Sequence, residues 1–208
     1  MKILVFGHSG QVATELRALD GNGVEIIALD RAAADLTDPA ACAATIETHA
    51  PDAVINAAAY TAVDKAESDE ATVNVINAQA PVAMARVCAD RDIPFVSIST
   101  DYVFSGEGTA LWHPGDPTDP QGVYGRTKRD GEKLIEEIGG PYAILRTSWV
   151  VSAHGSNFIK TMLRLGAQRD ALTIVADQIG GALASMTIYL LMALVLAIRP
   201  KGVFGGSD

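Results

Sequence analysis

The chain has 208 residues, 49% of them hydrophobic and 20% charged, which supplies one sizeable core and argues against a disordered segment. Its formal charge of −9 and pI near 4.8, with only 16 Lys and Arg together, argue against a protein that grips nucleic acid through the phosphate backbone, since that needs clustered base. Cys42 and Cys88 fall in helical patterns outside any CxxC or Cys/His cluster, so they read as buried, reduced thiols and not as a disulfide or zinc ligands.

In chain order the elements alternate. "ILVF" (3–6) is a short β-branched run that begins almost at Met1, with no signal peptide before it. It leads into "GHSGQVA", where Gly7-x-x-Gly10-x-x-Ala13 opens a helix whose Leu16 and Leu19 are expected on one face. Strands follow at "VEIIAL" (24–29), "AVIN" (53–56), "PFVSIS" (94–99) and "YAILR" (142–146), each the continuous apolar run typical of a buried parallel strand. Between the third and fourth, Val82, Met84, Ala85 and Val87 recur at helical spacing. Strands alternating with helices predict an α/β fold, a Rossmann-type doubly wound parallel sheet with right-handed crossovers. The Gly-, Pro- and Asp-rich stretch from Ser105 to Gly122 is the longest irregular segment, and loops of that length are often functional. Near the end, Ala182 to Ile198 carries no charge over seventeen residues. It reads as a core helix in preference to a membrane anchor, because Ser185, Thr187 and Tyr189 interrupt it and "GVF" follows as a strand.

Ligands of such sheets bind beyond the carboxyl ends of the strands, so the residues there are read for chemistry. Gly7 and Gly10 would permit a tight turn and close approach of a pyrophosphate to a helix start. Asp30 ends the second strand, where an acid accepts hydrogen bonds from an adenosine ribose, and Arg31 beside it could instead meet a 2′-phosphate. NADH and NADPH both stay open. "DLTD" (35–38) is placed to meet an adenine, and the small residues of "NAAAYT" (56–61) suit either a flat cofactor or tight helix packing. Thr100 and Asp101 in "STDYVFSG" follow the fourth strand, where a substrate would meet a nicotinamide.

Tyr124 and Lys128 in "GVYGRTK" lie four residues apart, on one helical face. A phenol titrates near ~10 in water, and a nearby ammonium lowers that value toward the range useful for proton transfer. The pair therefore reads as catalytic.

The glycine turn, the Tyr-x-x-x-Lys pair and the strand-four Thr together resemble the extended short-chain dehydrogenase/reductase superfamily. "NAAAYTAVDKAE", "STDYVFSG", "VYGRTKRDGE", "RTSWV", "NFIKTMLRL" and "ADQIGG" narrow the resemblance to its dTDP-4-dehydrorhamnose reductase family, from Met1 to about Gly181. The resemblance implies NAD(P)H-dependent reduction of the C4 ketone of a dTDP-sugar, dTDP-4-dehydro-L-rhamnose, in nucleotide-sugar and polysaccharide biosynthesis. Tyr124 would be the proton donor, Lys128 would lower its pKa and bind the nicotinamide ribose, and Thr100 would hold the reacting oxygen. Gly10, Gln11 and Val12 would cradle the pyrophosphate; Asp30, Arg31, Asp35 and Leu36 would surround the adenosine; Ala58, Ala59 and Tyr60 would line the cofactor. Asp101 and Trp149 would face the substrate, Trp149 reading equally as core. Glu15 matches a glutamate used for Mg2+ at a homodimer contact, and also reads as a solvated helix residue. A cytoplasmic enzyme with no nucleic-acid or membrane partner is expected.

The expected division is 1–150, a dinucleotide-binding domain carrying the catalytic residues, and 151–208, the remaining Rossmann elements with a small, apparently truncated C-terminal substrate-binding part. "WVVSAHGSNF" lacks the family's tyrosine after "SWV", and the family's Pro-Thr turn does not follow "DQIGG". A related sugar-nucleotide epimerase or dehydratase, or a non-catalytic nucleotide-binding subunit, would share much of this pattern. The intact Thr100, Tyr124 and Lys128 argue against the latter.

Overall fold

Five parallel strands, β1 (Lys2–Phe6), β2 (Glu25–Leu29), β3 (Ala53–Asn56), β4 (Phe95–Thr100) and β5 (Tyr142–Thr147), lie side by side in the order β2-β1-β3-β4-β5. The computed structural model describes residues 1–168. All five strands match the apolar runs of the sequence. After β1 the chain crosses to β2 on one side and then to β3 on the other. That reversal opens a crevice at the carboxyl ends of β1 and β3, the switch point where ligands of doubly wound sheets bind.

The covering helices are α1 (Gln11–Arg17), α2 (Pro39–His49), α3 (Val63–Ala66), α4 (Glu70–Asn74), α5 (Ala80–Asp90), α6 (Val123–Ile138) and α7 (Phe158–Gln168). Their limits have local causes. Asp38 caps α2 by accepting from the Ala41 amide at 2.9 Å, with Pro39 at the first helical position. The α6 N-cap is Gly122, which has no side chain to cap with, and Glu67 Oε1 does that work by accepting from the Val123 amide at 2.8 Å. A π-helical turn at Val75–Gln79 joins α4 to α5.

Leu4, Phe6, Ile46, Val54, Met84 and Phe95 are essentially inaccessible and form one core with Cys42 and Cys88. Each large apolar side chain there is worth about 1.5–3 kcal/mol of burial. The thiols belong to that core, and burial pushes Cys42 up to about 11 and Cys88 up to about 12, which leaves them unreactive.

Helix α6 approaches the chain on both sides so closely that two positions must be glycine. A Cβ on Gly125 would stand 2.2 Å from the Tyr102 carbonyl oxygen, and one on Gly131 would stand 2.7 Å from that of Asn77. The face carrying Tyr124 and Lys128 is thereby drawn against β4 and the π turn.

Some expectations change. Leu19 lies beyond the end of α1 and is 65% exposed, and the helix turns Ala13 inward instead. Residues Met1–Ser105 and Pro117–Gly155 form one compact unit; a second takes Gly106–Asp116 and begins again at Ser156. In that second unit Asn157 Oδ1 accepts from the Lys160 amide at 2.9 Å in the first turn of α7, and Asp116 Oδ2 accepts from the His113 amide at 2.7 Å. The apolar stretch Ala182 to Ile198 and the "GVF" strand lie outside the described residues. Among the described residues no helix is long and apolar enough to cross a membrane.

Candidate active site

The carboxyl ends of β1 and β3 meet through backbone alone. Gly7 adopts φ +116°, open to glycine and strained for other residues, and an added Cβ would stand 3.4 Å from the Ala57 and Ala58 backbone. Three residues on, a Cβ at Gly10 would meet nothing within 4 Å among the described residues beyond its own chain neighbours. Gly10 is the N-cap of α1, and no side chain caps it. Helix starts of this kind favour anions. The Asn56 Nδ2 at the end of β3 is buried without a protein partner among the described residues, a polar atom facing unfilled demand at the same crevice. This narrow, open turn fits the pyrophosphate role expected for Gly7, Gly10, Gln11 and Val12. Gln11 also reaches across to the Val150 carbonyl, with its Nε2 donating at 3.2 Å.

The adenosine-side residues sit on the loop after β2, with Asp30 and Arg31 exposed and Asp35 half-buried. Asp30 Oδ1 accepts from the Ala33 amide at 2.9 Å. Arg31 Nε donates to Asp35 Oδ2 at 3.0 Å, while Asp35 Oδ1 accepts from the Thr37 amide at 2.9 Å. The Thr37 amide first, and then Arg31, hold the Asp35 carboxyl below the usual carboxylate range. The Leu36 side chain is 8% exposed and belongs to the core. Ala58 packs against that same core, and Ala59 is half-buried beside it. Tyr60 packs with Tyr124 against Ala66, Val73 and Val123.

At the end of β4, Thr100 is 5% exposed. Its Oγ1 donates to Asp101 Oδ1 at 3.1 Å and accepts from the Tyr102 amide at 3.2 Å. Asp101 Oδ2 in turn accepts from Ser148 Oγ at 2.6 Å, which ties the end of β4 to the end of β5. The Tyr124 ring meets that of Tyr102 edge-on with centroids 5.6 Å apart. Burial is the main influence on Tyr124 and raises its pKa; the Thr100 hydroxyl opposes this, and the Asp101 charge adds to it.

Lys128 is buried, yet its ammonium does not lie against the phenol as the four-residue spacing suggests. Nζ donates to the Ile98 carbonyl of β4 at 2.7 Å. Desolvation brings Lys128 down to about 8, and the Glu132 carboxylate partly offsets it. In this arrangement Tyr124 is held as the neutral phenol, the form that donates a proton.

Trp149 is 37% exposed at φ +51°, in the left-handed region that an aromatic residue rarely adopts. Its side chain is not core. A strained backbone after a strand end, beside Ser148 and Asp101, marks the sort of position where functional residues are held. Glu15 accepts from Ser152 Oγ and pairs with His154 Nδ1 at 2.9 Å, and these bonds lower its pKa. Among the described residues no group of three His, Cys, Asp or Glu is placed to hold a metal, so the Mg2+ expectation for Glu15 finds no support.

Sequence reasoning misses Asn77. Buried in the π turn, it clamps the 57–62 loop by accepting from the Tyr60 amide at 2.9 Å and donating to the Tyr60 carbonyl at 3.2 Å, and it reaches Thr127 Oγ1 on α6 at 3.4 Å. π turns concentrate at functional sites. Only an irregularity in backbone bonding reveals it, and no residue pattern announces that.

Residues 1–204 match the family model described as the RmlD substrate binding domain. The chain is 43% identical over 210 residues to a dTDP-4-dehydrorhamnose reductase of Burkholderia thailandensis, covering 98% of this chain and 70% of that relative. It is 44% identical over 185 residues to the Escherichia coli enzyme of the same name, covering 86% of this chain and 62% of that one. Among solved structures, a Clostridium acetobutylicum dTDP-4-dehydrorhamnose reductase superposes with a TM-score of 0.80 at 38% identity, over 92% of this chain and 70% of that one. A Bacillus anthracis dTDP-4-dehydrorhamnose reductase in complex with NADP gives 0.79 at 33% identity, over 85% and 64%.

Proposed function

This chain belongs to the RmlD substrate binding domain family, and from that membership and the geometry at the strand ends we propose that it reduces the C4 ketone of dTDP-4-dehydro-L-rhamnose to dTDP-L-rhamnose with a nicotinamide cofactor. The observation that carries the reading is the placing of buried Thr100 at the carboxyl end of β4, with Lys128 of α6 anchored to the Ile98 carbonyl of the same strand and Tyr124 one helical turn before it. A nicotinamide, when bound, supplies the hydride. Gly7, Gly10, Gln11 and Val12 hold its pyrophosphate and Asp30 its adenosine ribose.

The residues of the chain supply the rest. When substrate binds, the Thr100 hydroxyl turns its one hydrogen from Asp101 Oδ1 to the ketone oxygen, and Tyr124 gives its phenolic proton to that oxygen, so that the C=O becomes a CH–OH. The raised pKa of Tyr124 keeps that proton in place until charge develops on the oxygen. Lys128, anchored to the Ile98 carbonyl, adds positive charge to the site, which favours the phenolate left behind. Asp101, bridged to Ser148, keeps the Thr100 hydroxyl oriented, and Trp149 lies alongside for the sugar.

Both NADH and NADPH serve as donors in this reading: Asp30 suits a free ribose, and Arg31 suits a 2′-phosphate once it leaves Asp35. The Burkholderia relative is a dTDP-4-dehydrorhamnose reductase and the Bacillus anthracis one is in complex with NADP, which supports the substrate class and the cofactor. The chain spans 70% of the Burkholderia relative and 62% of the Escherichia one. The test is loss of absorbance at 340 nm from NADPH and from NADH, with and without the 4-keto sugar nucleotide. Substrate-dependent oxidation with stoichiometric dTDP-L-rhamnose supports the reading. NADPH binding with no turnover would remove it. Light scattering on the same preparation tests the homodimer.

A further inference from the structure

Helix α6 presents Tyr124, Lys128 and Glu132 at successive four-residue steps. The first two carry the proposed chemistry; the third has no role in it, yet it is the most heavily committed carboxylate in the described residues. Glu132 is 3% exposed. Oε1 accepts from Ser99 Oγ on β4 and from Arg146 Nε on β5 at 3.0 Å. Oε2 accepts from Arg146 Nη2 at 2.7 Å and from Arg129 Nη1 at 3.1 Å. The paired Nε and Nη2 contacts form the two-pronged fork for which guanidinium is suited. Arg146 also lies over the Phe104 ring at 4.9 Å.

The neighbours of this cluster are the working parts of the site. Ser99 stands between Ile98, whose carbonyl receives Lys128 Nζ, and Thr100, whose hydroxyl donates to Asp101. Opposite it in register is Arg146. We infer that Glu132 and Arg146 are an opposed pair of positioning residues: Glu132 keeps the buried Lys128 protonated and in place against β4, and Arg146 limits the negative field that Glu132 exerts. The inference rests on the reading of Lys128 as part of the reductase chemistry.

The energetic reason is that a buried ammonium loses most of its hydration, and one backbone carbonyl does not replace it. The negative charge one helical turn away is what makes the protonated form tolerable. Other ionisable groups on the elements around α6 are engaged elsewhere or farther along. Glu70 on α4 pairs with Arg126, and Arg129 also pairs with Glu136. Asp64 and Lys65 lie on α3, and Arg86, Cys88 and Asp90 on α5; Asp101 and Tyr102 follow β4, while β4 and the π turn contain no ionisable residue. The influences that set the Lys128 pKa are burial and then Glu132.

Opposed roles predict opposed shifts, which a general loosening of the fold does not produce. The experiment labels the lysines at Cε with carbon-13 in the full chain, assigns the Lys128 resonance among the six lysines with Lys128→Met, and follows it against pH with and without NADPH. Glu132→Gln leaves two guanidiniums unbalanced, and the Lys128 midpoint is expected to fall by about one pH unit. Arg146→Gln frees the Glu132 charge, and the midpoint is expected to rise by a similar amount. The double variant returns it toward the parent. If Glu132→Gln does not fold, the upward shift in Arg146→Gln carries the test by itself. Midpoints that stay fixed, or that move in the same direction in both variants, overturn the inference. The alkaline limb of kcat/KM is read in parallel. If the lysine midpoint moves and that limb does not follow, the pair still tunes Lys128, and it is the catalytic reading of Lys128 that fails.

Discussion

The two ends of the candidate site handle charge in opposite ways. On the loop after β2, Arg31 and Asp35 pair in open solvent, with side chains 79% and 39% exposed. Under β4, Lys128 and Glu132 are 4% and 3% exposed and are held by partners from three elements. Water screens the first pair and can replace either member; it cannot reach the second. The exposed end is therefore built to exchange partners when a nucleotide arrives. At the buried end a proton's position is set in advance, so changes there should be felt in rate, pH dependence and stability together.

The sharpest way to break this contrast is at Tyr124. Tyr124→Phe removes one oxygen from a half-buried ring that packs against Tyr102 and Val123 and so leaves the packing in place. Reduction is expected to fall by ~10² to 10⁴-fold, the usual range for loss of a general acid, while NADPH binding measured by fluorescence stays within a factor of two or three of the parent (~2–3-fold, order of magnitude). Near-normal turnover would take Tyr124 out of the mechanism.

Lys128 sharpens the contrast, because its two effects run in opposite directions with pH. Burial brings its folded pKa down to about 8, below the ordinary lysine value of 10.5. The unfolded chain then holds the proton more tightly, and folding pays for the buried ammonium at pH 7. Stability from this group rises as pH climbs from about 8 toward 10.5, while activity falls over the same window as the charge is lost. Lys128→Met removes the cost and is expected to raise stability at pH 7 by on the order of 3 kcal/mol, with the gain shrinking by pH 10. Urea melts of parent and variant at the two pH values cancel the contributions of Tyr124, Cys42 and Cys88, which titrate in both. A gain that does not depend on pH would show that burial of the charge is not what matters.

The fold was the more legible part, for a physical reason. A parallel strand buried on both faces must be a continuous apolar run, and all five runs became strands at nearly the expected residues. The glycine turn and the Tyr-x-x-x-Lys spacing were legible too, because each is local. What escaped is contact between distant segments. Gly125 and Gly131 look like weak points in a helix until the Tyr102 and Asn77 carbonyls are seen against them. Asn77, Ser99, Glu132 and Arg146 are ordinary polar residues in sequence, and only their convergence in the interior makes them part of the site.

Gly125→Ala probes that close approach. A Cβ 2.2 Å from the Tyr102 oxygen and 3.0 Å from Pro120 Cβ forces α6 away from the turn after β4. Overpacking of this kind costs roughly 1–3 kcal/mol. Because Tyr124 is the adjacent residue, kcat should fall more than NADPH affinity. Gly166→Ala on α7, where an added Cβ meets nothing within 4 Å among the described residues, is the control, expected to leave stability unchanged or slightly raised. Equal behaviour of the two variants in a thermal melt would mean that α6 can move without cost.

The smallest effect belongs to the exposed end. Arg31 donates one hydrogen bond to Asp35 and otherwise projects into solvent, so Arg31→Ala should leave the thermal melt of the protein alone unchanged. Its consequence appears only with ligand. A 2′-phosphate offers Arg31 a doubly charged partner in place of a single carboxylate, and guanidinium binds phosphate through two parallel hydrogen bonds. Loss of that interaction at a solvent-exposed position is expected to weaken NADPH by roughly fivefold to twentyfold, in line with a charge-assisted bond worth ~1–2 kcal/mol. NADH, which lacks the phosphate, should change less than twofold (~2-fold, within the scatter of a surface substitution). Asp35→Asn separates competition from recognition: if Asp35 holds Arg31 back from the phosphate, its removal should tighten NADPH modestly and leave NADH alone. An equal loss for both cofactors in Arg31→Ala would mean that this residue supports the loop and does not read the phosphate, and the difference between the two ends of the site would then lie in burial alone.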